Sequence, residues 1–225
     1  MIYIETAKAE EIKIEEKEVL RYLGYGKNTP EPHVMEKILT VSSEVAQGVV
    51  PRACCMVLPV CVQEGQVDFG HFCVQSHALS KSLSGCDRVL LFAATVGAEE
   101  DRIIFKYASL SPSSAVIAQA VGSAAIESFC DLLATRVSEK LKKDALFLRP
   151  RFSPGYGDFD LNHQKDFFHL LEVSRRIGVS LTEGGLMTPT KSVTALAGID
   201  RDGTHCEKSS CEACDKRLAC NFSRG

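Results

Sequence analysis

A chain of 225 residues that is 45% hydrophobic and 24% charged can form one sizeable soluble domain with a small appendage. Its net charge of −3 gives no broad attraction to nucleic acid or to an anionic membrane. The longest apolar run, residues 89–98, is too short to cross a bilayer, and the acidic N-terminus lacks a signal-peptide pattern. We therefore expect a cytoplasmic protein.

The first half of the chain mixes hairpins with helices. The second helix is expected to begin at Thr29-Pro30, a suitable N-cap and first turn. The segment Asp87 to Thr95 is an apolar run, which is typical of a strand buried on both faces. The predicted elements are strands at 2–4, 53–62, 66–74 and 87–95, and helices at 15–23, 29–46 and 77–83.

The second half is dominated by a long amphipathic helix, predicted over residues 112–143 with Ser111 as its cap. The other predicted elements are helices at 98–110 and 162–176, and strands at 146–152, 179–183 and 192–199. Hairpins interspersed with helices indicate an α+β fold rather than a regular βαβ series.

A stiff loop separates the long helix from these last elements. Residues 149–158 hold two arginines, two prolines, two glycines and a tyrosine. Proline fixes φ, glycine allows a ligand to approach the backbone, and Arg151 offers a planar fork for a carboxylate or phosphate. Tyr156 adds an aromatic ring and a hydroxyl group. An ordinary turn is the alternative interpretation, but the pattern favours a small anionic or zwitterionic ligand.

The same residues carry a family resemblance. Arg151-x-x-Pro154-Gly155-Tyr156 resembles the RxxPGY loop of the activation domain of cobalamin-dependent methionine synthase. The similarity continues in order through NHQKDFFHLLE at 162–172, IGVSLTE at 177–183, Met187-Thr188-Pro189 and Ser192-Val193-Thr194. It spans about residues 127–199, and residues 20–25 resemble stand-alone bacterial members.

The resemblance implies a twisted, mixed or antiparallel sheet with packed helices, and a role in methionine biosynthesis. Such a domain presents S-adenosylmethionine to a cobalamin whose cobalt has been oxidised, while an electron arrives from a flavodoxin- or ferredoxin-type donor. The sequence lacks the DxHxxG pattern of a cobalamin-binding module, so the corrinoid is expected on a partner such as a separate methionine synthase core. The protein would be the activation component of that methyltransferase.

The resemblance also implies a set of ligand-binding residues. Glu127 would face the positive charges of the ligand, Arg151 its carboxylate, and the main chain after Pro154 its adenine. The alternatives to ligand binding are a solvated helix position for Glu127, a surface position at a strand end for Arg151 and a structural role for Glu183. No residue is assigned a catalytic role, since this methyl transfer needs no general base. The predicted site comprises Glu127, Arg151, Pro154, Gly155, Tyr156, Gly157, Asp158 and Glu183.

The sequence departs from the family pattern at three points. Gly157 and Asp158 replace the usual small or proline residues. The sequence 195–197 reads Ala-Leu-Ala where the family commonly has aromatic residues, so part of the pocket wall is expected to differ. An aspartate from the N-terminal segment of the family has no counterpart that we can place.

The C-terminus predicts a separate metal-binding tail. Cys206, Cys211, Cys214 and Cys220 lie within fifteen residues, and their spacing suits tetrahedral zinc or an iron–sulfur cluster. Unliganded thiols, or a disulfide, are the alternative. We therefore expect two domains, an activation-domain-like unit at 1–202 and a four-cysteine tail at 203–225.

Two other functions remain open from the sequence. The chain could be a metal-binding interaction or electron-transfer protein with a degenerate S-adenosylmethionine site. It could also be an independent methyltransferase acting on a small substrate, although the glycine-rich loop of the common class is absent.

Overall fold

A computed structural model describes residues 1–26, 28–201 and 203, and these residues form an α+β fold, as predicted. The helices are α1 Glu16–Tyr22, α2 Pro32–Gly48, α3 His77–Ser82, α4 Glu99–Leu110, α5 Pro112–Lys142, α6 Gln164–Leu171 and α7 Val173–Ile177. The strands are β1 Tyr3–Thr6, β2 Arg52–Pro59, β3 Cys61–Gln63, β4 Gln66–Asp68, β5 Cys73–Gln75, β6 Arg88–Thr95, β7 Phe147–Leu148, β8 Ser180–Leu181, β9 Met187–Thr188 and β10 Ser192–Asp200. Short 3₁₀ turns span Ala9–Glu11 and Leu161–His163.

An antiparallel five-stranded sheet in the order β1-β2-β6-β10-β7 is the centre of the molecule. Its middle strand β6 is buried on both faces, which confirms the interpretation of its apolar run. Because successive side chains alternate across a strand, Leu90 and Phe92 join one core cluster while Val89 and Leu91 join the other. The sheet therefore separates two hydrophobic layers.

Helix α5 covers one face of this sheet together with α1, α2 and α4. Val121, Ala125, Phe129 and Val137 lie on its buried stripe, as the helical period predicts. By length and composition α5 could cross a membrane, but 61% of its most apolar window is buried inside the fold. Within the described residues it is a core helix.

The other face is covered by α6, α7 and a small sheet of the order β3-β4-β5. Phe159 and Phe167 are fully buried there and form a cluster of tilted rings with Phe72. This layer lies directly behind the loop at 149–158.

Three predicted boundaries are wrong, each because of a proline. The second helix begins at Pro32 rather than at Thr29-Pro30, since Glu31 precedes a proline and stays extended. The predicted strand at 53–62 divides after Pro59 into β2 and β3, which belong to different sheets. The predicted strand at 146–152 is reduced to β7 and one bridge at Phe152, because Pro150 has no amide to donate.

Two further elements are interrupted. The predicted strand at 66–74 is broken by a turn in which Asp68 Oδ1 accepts from the Gly70 amide at 2.8 Å. The predicted helix at 162–176 is broken at Glu172, which is left-handed with φ 51°. A continuous helix would turn Leu171 and Val173 about 200° apart. The break allows both side chains to be fully buried.

Arg149 and Asp200 form a buried ion pair where β7 meets the end of β10. Each residue is only 6% exposed. Arg149 Nε donates to Asp200 Oδ2 at 2.9 Å, and Nη1 donates to the Ser82 carbonyl at 2.8 Å, so one guanidinium joins three segments. The Arg149 amide also donates to the Gly198 carbonyl at 2.8 Å. Arg149 is therefore a structural residue.

We expect Arg149→Ala to lower the free energy of unfolding by about 3–5 kcal/mol, because it leaves the Asp200 carboxylate buried without its cation. Urea denaturation measures the change. Arg102→Ala is a suitable control, since the Arg102 side chain is 76% exposed and its ion pair with Glu99 is worth at most about 1 kcal/mol. Equal losses from the two substitutions would contradict the structural role of Arg149.

Glu100 is another buried ionisable group that the sequence did not reveal. It is 1% exposed, and neither carboxylate oxygen has a hydrogen-bond partner among the described residues. The carboxylate lies against Gly122 of α5, where an added Cβ would come within 2.2 Å of Oε1. Burial raises the pKa of Glu100 to about 8, although Lys191 nearby acts in the opposite direction.

A carboxyl group whose folded-state pKa is raised stabilises the protein only while it remains protonated. Stability should therefore fall as the pH rises from the ordinary pKa of 4.5 through the folded-state pKa of about 8. Glu100→Gln removes this titration. The difference in free energy of unfolding between the variant and the unaltered protein should therefore shift in favour of the variant, by at least about 2 kcal/mol, from acidic to alkaline buffer. Urea denaturation at the two pH extremes tests this, and parallel pH profiles would contradict it.

Candidate functional site

The loop at 149–158 is closed by its own main chain. The Gly155 amide donates to the Phe159 carbonyl at 2.7 Å, and the Tyr156 amide donates to the Ser153 carbonyl at 3.1 Å. Gly155 has φ 92°, a conformation that side chains with a Cβ rarely adopt. Pro154 is buried beneath the turn. The loop is therefore a preformed surface with exposed main-chain groups.

Two anchors hold the loop to the fold. Before it, Phe152 and Leu196 exchange main-chain hydrogen bonds at 2.8 and 2.9 Å, which joins the loop to the centre of β10. After it, Asp158 caps α3: its carboxylate accepts from the Ser76 hydroxyl, from the His77 amide at 2.7 Å and from the Ala78 amide at 3.1 Å. The bond from Ser76, with those from the two amides, lowers the pKa of Asp158. The Asp158 side chain therefore has a structural task.

Arg151 forms an ion pair with Glu127 of α5. Its Nη2 donates to Glu127 Oε2 at 3.2 Å and to Asp131 Oδ1 at 2.6 Å. The Arg151 side chain is 19% exposed and that of Glu127 is 29% exposed, so the pair is partly shielded from water. One guanidinium and two carboxylates thus form a charged cluster beside the loop.

The aromatic ring of the site is open to solvent. Tyr156 is 68% exposed at the tip of the loop. Leu161, 47% exposed, lies against the same tip, because a Cβ added to Gly155 would come within 3.2 Å of its Cδ1. Together they provide an apolar contact surface on which a planar base could stack.

Glu183 lies in the turn between β8 and β9. It lines a shallow cleft whose other wall is formed by Leu161, Gln164 and Lys165. The turn is closed by the Leu186 amide, which donates to Thr182 Oγ1 at 3.0 Å. Leu161 is the residue that borders both this cleft and the loop. The structure thus brings Arg151 and Glu127 into direct contact and places Glu183 in a cleft with Leu161.

The residues at 195–197 lie in the sheet rather than in a pocket wall. Ala195, Leu196 and Ala197 are each at most 1% exposed, and Leu196 pairs with Phe152. The absence of the family's aromatic residues therefore changes the core directly behind the loop.

Sequence reasoning missed Asp131 and Cys130. Asp131 follows Glu127 by four residues, a spacing that places two side chains on one face of a helix. Cys130 is fully buried beneath Arg151, and burial raises the pKa of its thiol to about 12. The Cys130 thiol is a packing group. Lys191 Nζ donates to two side chains of α5, Gln119 Oε1 at 2.7 Å and Ser123 Oγ at 3.1 Å.

The predicted metal ligands Cys206, Cys211, Cys214 and Cys220 lie outside the described residues. Within residues 1–26, 28–201 and 203, no group of three or more histidine, cysteine, aspartate or glutamate side chains is arranged to hold a metal ion. The cysteines of this part are free thiols.

The chain was compared with known proteins. Residues 63–206, more than half of the chain, match the sequence model of the family described as vitamin B12 dependent methionine synthase, activation domain. Among solved structures, the MetH reactivation domain bound to AdoHcy superposes with a TM-score of 0.65 at 17% identity, over 93% of this chain and 80% of that one. No curated protein sequence matches. This protein is accordingly a member of the activation-domain family of vitamin B12-dependent methionine synthase.

Proposed function

We propose that this protein binds S-adenosylmethionine (AdoMet) at the 149–158 loop and presents its methyl group to a cobalamin carried by another protein. The observation that carries the proposal is the contact of Arg151 with Glu127 beside an exposed, preformed Pro-Gly-Tyr turn. A similar fold that binds S-adenosylhomocysteine (AdoHcy), the demethylated form of AdoMet, supports this class of ligand.

Each predicted residue has a task in this proposal. Arg151 binds the α-carboxylate of the ligand, which is suited to a planar guanidinium. Glu127 faces the ammonium or sulfonium charge. Tyr156 packs on the adenine ring. Because the amides of Gly155 and Tyr156 are engaged within the turn, the adenine edge would meet other main-chain groups of residues 155–158.

The remaining predicted residues support the turn rather than touch the reacting atoms. Pro154 and Gly157 shape it, and a Cβ at Gly157 would come within 3.0 Å of the Ala78 side chain. Asp158 holds its end to α3. We keep Glu183 as a supporting residue in the cleft that it lines with Leu161.

The partner's cobalamin supplies the reduced cobalt that accepts the methyl group, after one electron from a flavodoxin- or ferredoxin-type donor. The cobalt–carbon bond forms as the sulfur–carbon bond of AdoMet breaks, and AdoHcy leaves. This chain binds and orients the sulfonium, and no proton is transferred. The corrinoid partner would be a methionine synthase core or a related methyltransferase, in the cytoplasm.

One observation favours a second function. Arg151 is already paired with two carboxylates, so a ligand carboxylate must share its guanidinium with them. In a degenerate site this pairing would be permanent, and the protein would act as a metal-binding interaction or electron-transfer protein. Titration calorimetry with AdoMet separates the two functions, since only the first requires binding.

We expect Arg151→Ala to weaken AdoMet binding by roughly 1.5–3 kcal/mol, the range for a hydrogen bond to a charged group. Calorimetry measures the dissociation constant, and Arg102→Ala on the exposed surface of α4 is the matched control. Unchanged affinity in Arg151→Ala would remove Arg151 from the site. Absence of AdoMet binding by the unaltered protein would favour the second function.

We further propose that residues 203–225 form a separate metal-binding unit beside the domain at 1–202. Anaerobically purified protein should contain zinc or an iron–sulfur cluster, and Cys211→Ser with Cys214→Ser should lose it. Cys61→Ser with Cys73→Ser is the control, because both of these thiols are exposed and lie in the described sheet. A colourless zinc protein would rule out electron relay by the tail, and metal-free protein would rule out the metal site.

A further inference from the structure

We propose that Asp131 determines the specificity of this site: its carboxylate, held against the Arg151 guanidinium, favours the cationic sulfonium AdoMet over its neutral product AdoHcy. The inference rests on the proposed function, which supplies this pair of ligands. Asp131 was not among the residues predicted from the sequence.

The geometry makes Asp131 the closer of the two acidic partners. Arg151 Nη2 lies 2.6 Å from Asp131 Oδ1 and 3.2 Å from Glu127 Oε2. Both acids project from the same face of α5, one turn apart. Two carboxylates so placed repel each other, and the guanidinium between them offsets the repulsion. The guanidinium that would contact a ligand carboxylate is therefore already bonded to Asp131.

The two ligands differ by one charge. AdoMet carries a carboxylate, an ammonium and a sulfonium, whereas AdoHcy has a neutral thioether in place of the sulfonium. A ligand carboxylate that joins Arg151 enters a cluster that already holds two carboxylates. The ammonium offsets the carboxylate in both ligands, and AdoMet alone brings a further positive charge. A negative charge at Asp131 therefore stabilises the substrate more than the product.

Exposure limits the size of this effect. The Asp131 side chain is 56% exposed, so water screens its charge more than that of Glu127. We expect a preference of a few-fold, which comes from tighter binding of AdoMet rather than from weaker binding of AdoHcy. Asp131 would thus help AdoMet to displace AdoHcy from the site without touching the reacting atoms.

The test compares the dissociation constants of AdoMet and AdoHcy by titration calorimetry at low ionic strength. Asp131→Asn keeps the shape and an oxygen acceptor but removes the charge. We expect it to lower the AdoMet-over-AdoHcy preference by about two- to fivefold, with AdoHcy affinity little changed. Added salt should reduce the preference of the unaltered protein. Glu139→Gln, on the exposed surface of the same helix, changes the net charge equally and should leave the preference unaltered.

The outcomes separate the two proposals. A fall in preference in Asp131→Asn, but not in Glu139→Gln, supports charge selection by Asp131. Equal weakening of both ligands would overturn it and make Asp131 only a support for Arg151. An unchanged preference would overturn it as well. In both cases, binding of AdoMet by the unaltered protein would still support the proposed function. If the unaltered protein binds neither ligand, the proposed function has failed.

Discussion

The buried pair of Arg149 and Asp200 is the interaction on which the candidate site depends. It ties the two-residue strand β7 to the end of β10, where Pro150 prevents a longer ladder. Two residues later the chain passes Arg151 and then pairs again with β10 at Phe152. The ion pair and this bridge lie on either side of Arg151, so its backbone is fixed relative to the sheet. Two arginines that look alike in the sequence thus have different tasks.

Helix α5 supplies the other half of the site. Its apolar stripe packs on the sheet, which leaves Glu127 and Asp131 along the edge that faces Arg151. The resulting cluster has two acids and one base before any ligand arrives. A ligand with its own carboxylate must therefore bring positive charge, which a sulfonium amino acid does. Positive charge on a sulfonium ligand would thus complement the acidic side chains of this cluster.

Glu100 shows that the layer between α4 and α5 tolerates a buried carboxyl group, although its burial is energetically unfavourable. Its carboxylate is buried against Gly122, where a larger residue would collide with it. Burial of an ionised carboxylate is unfavourable unless it is paired, which is why its pKa is raised. Lys191, anchored on Gln119 and Ser123, is the nearby positive group that limits this cost. The stability of this part of the core therefore depends on pH.

The sequence by itself determined the α+β class, the buried middle strand and the family, because apolar periods and an ordered set of motifs are local properties of the chain. It predicted that Arg151 and Glu127 share a site only through the family resemblance. The tertiary structure decided which arginine is structural, since burial of Arg149 depends on Asp200 fifty-one residues away. It also decided that Asp158 caps α3 and that Asp131 joins the cluster, because both contacts cross between elements. Prolines at 32, 59 and 150 moved the predicted boundaries, because the pattern of apolar residues does not show where a proline will end a helix or a strand.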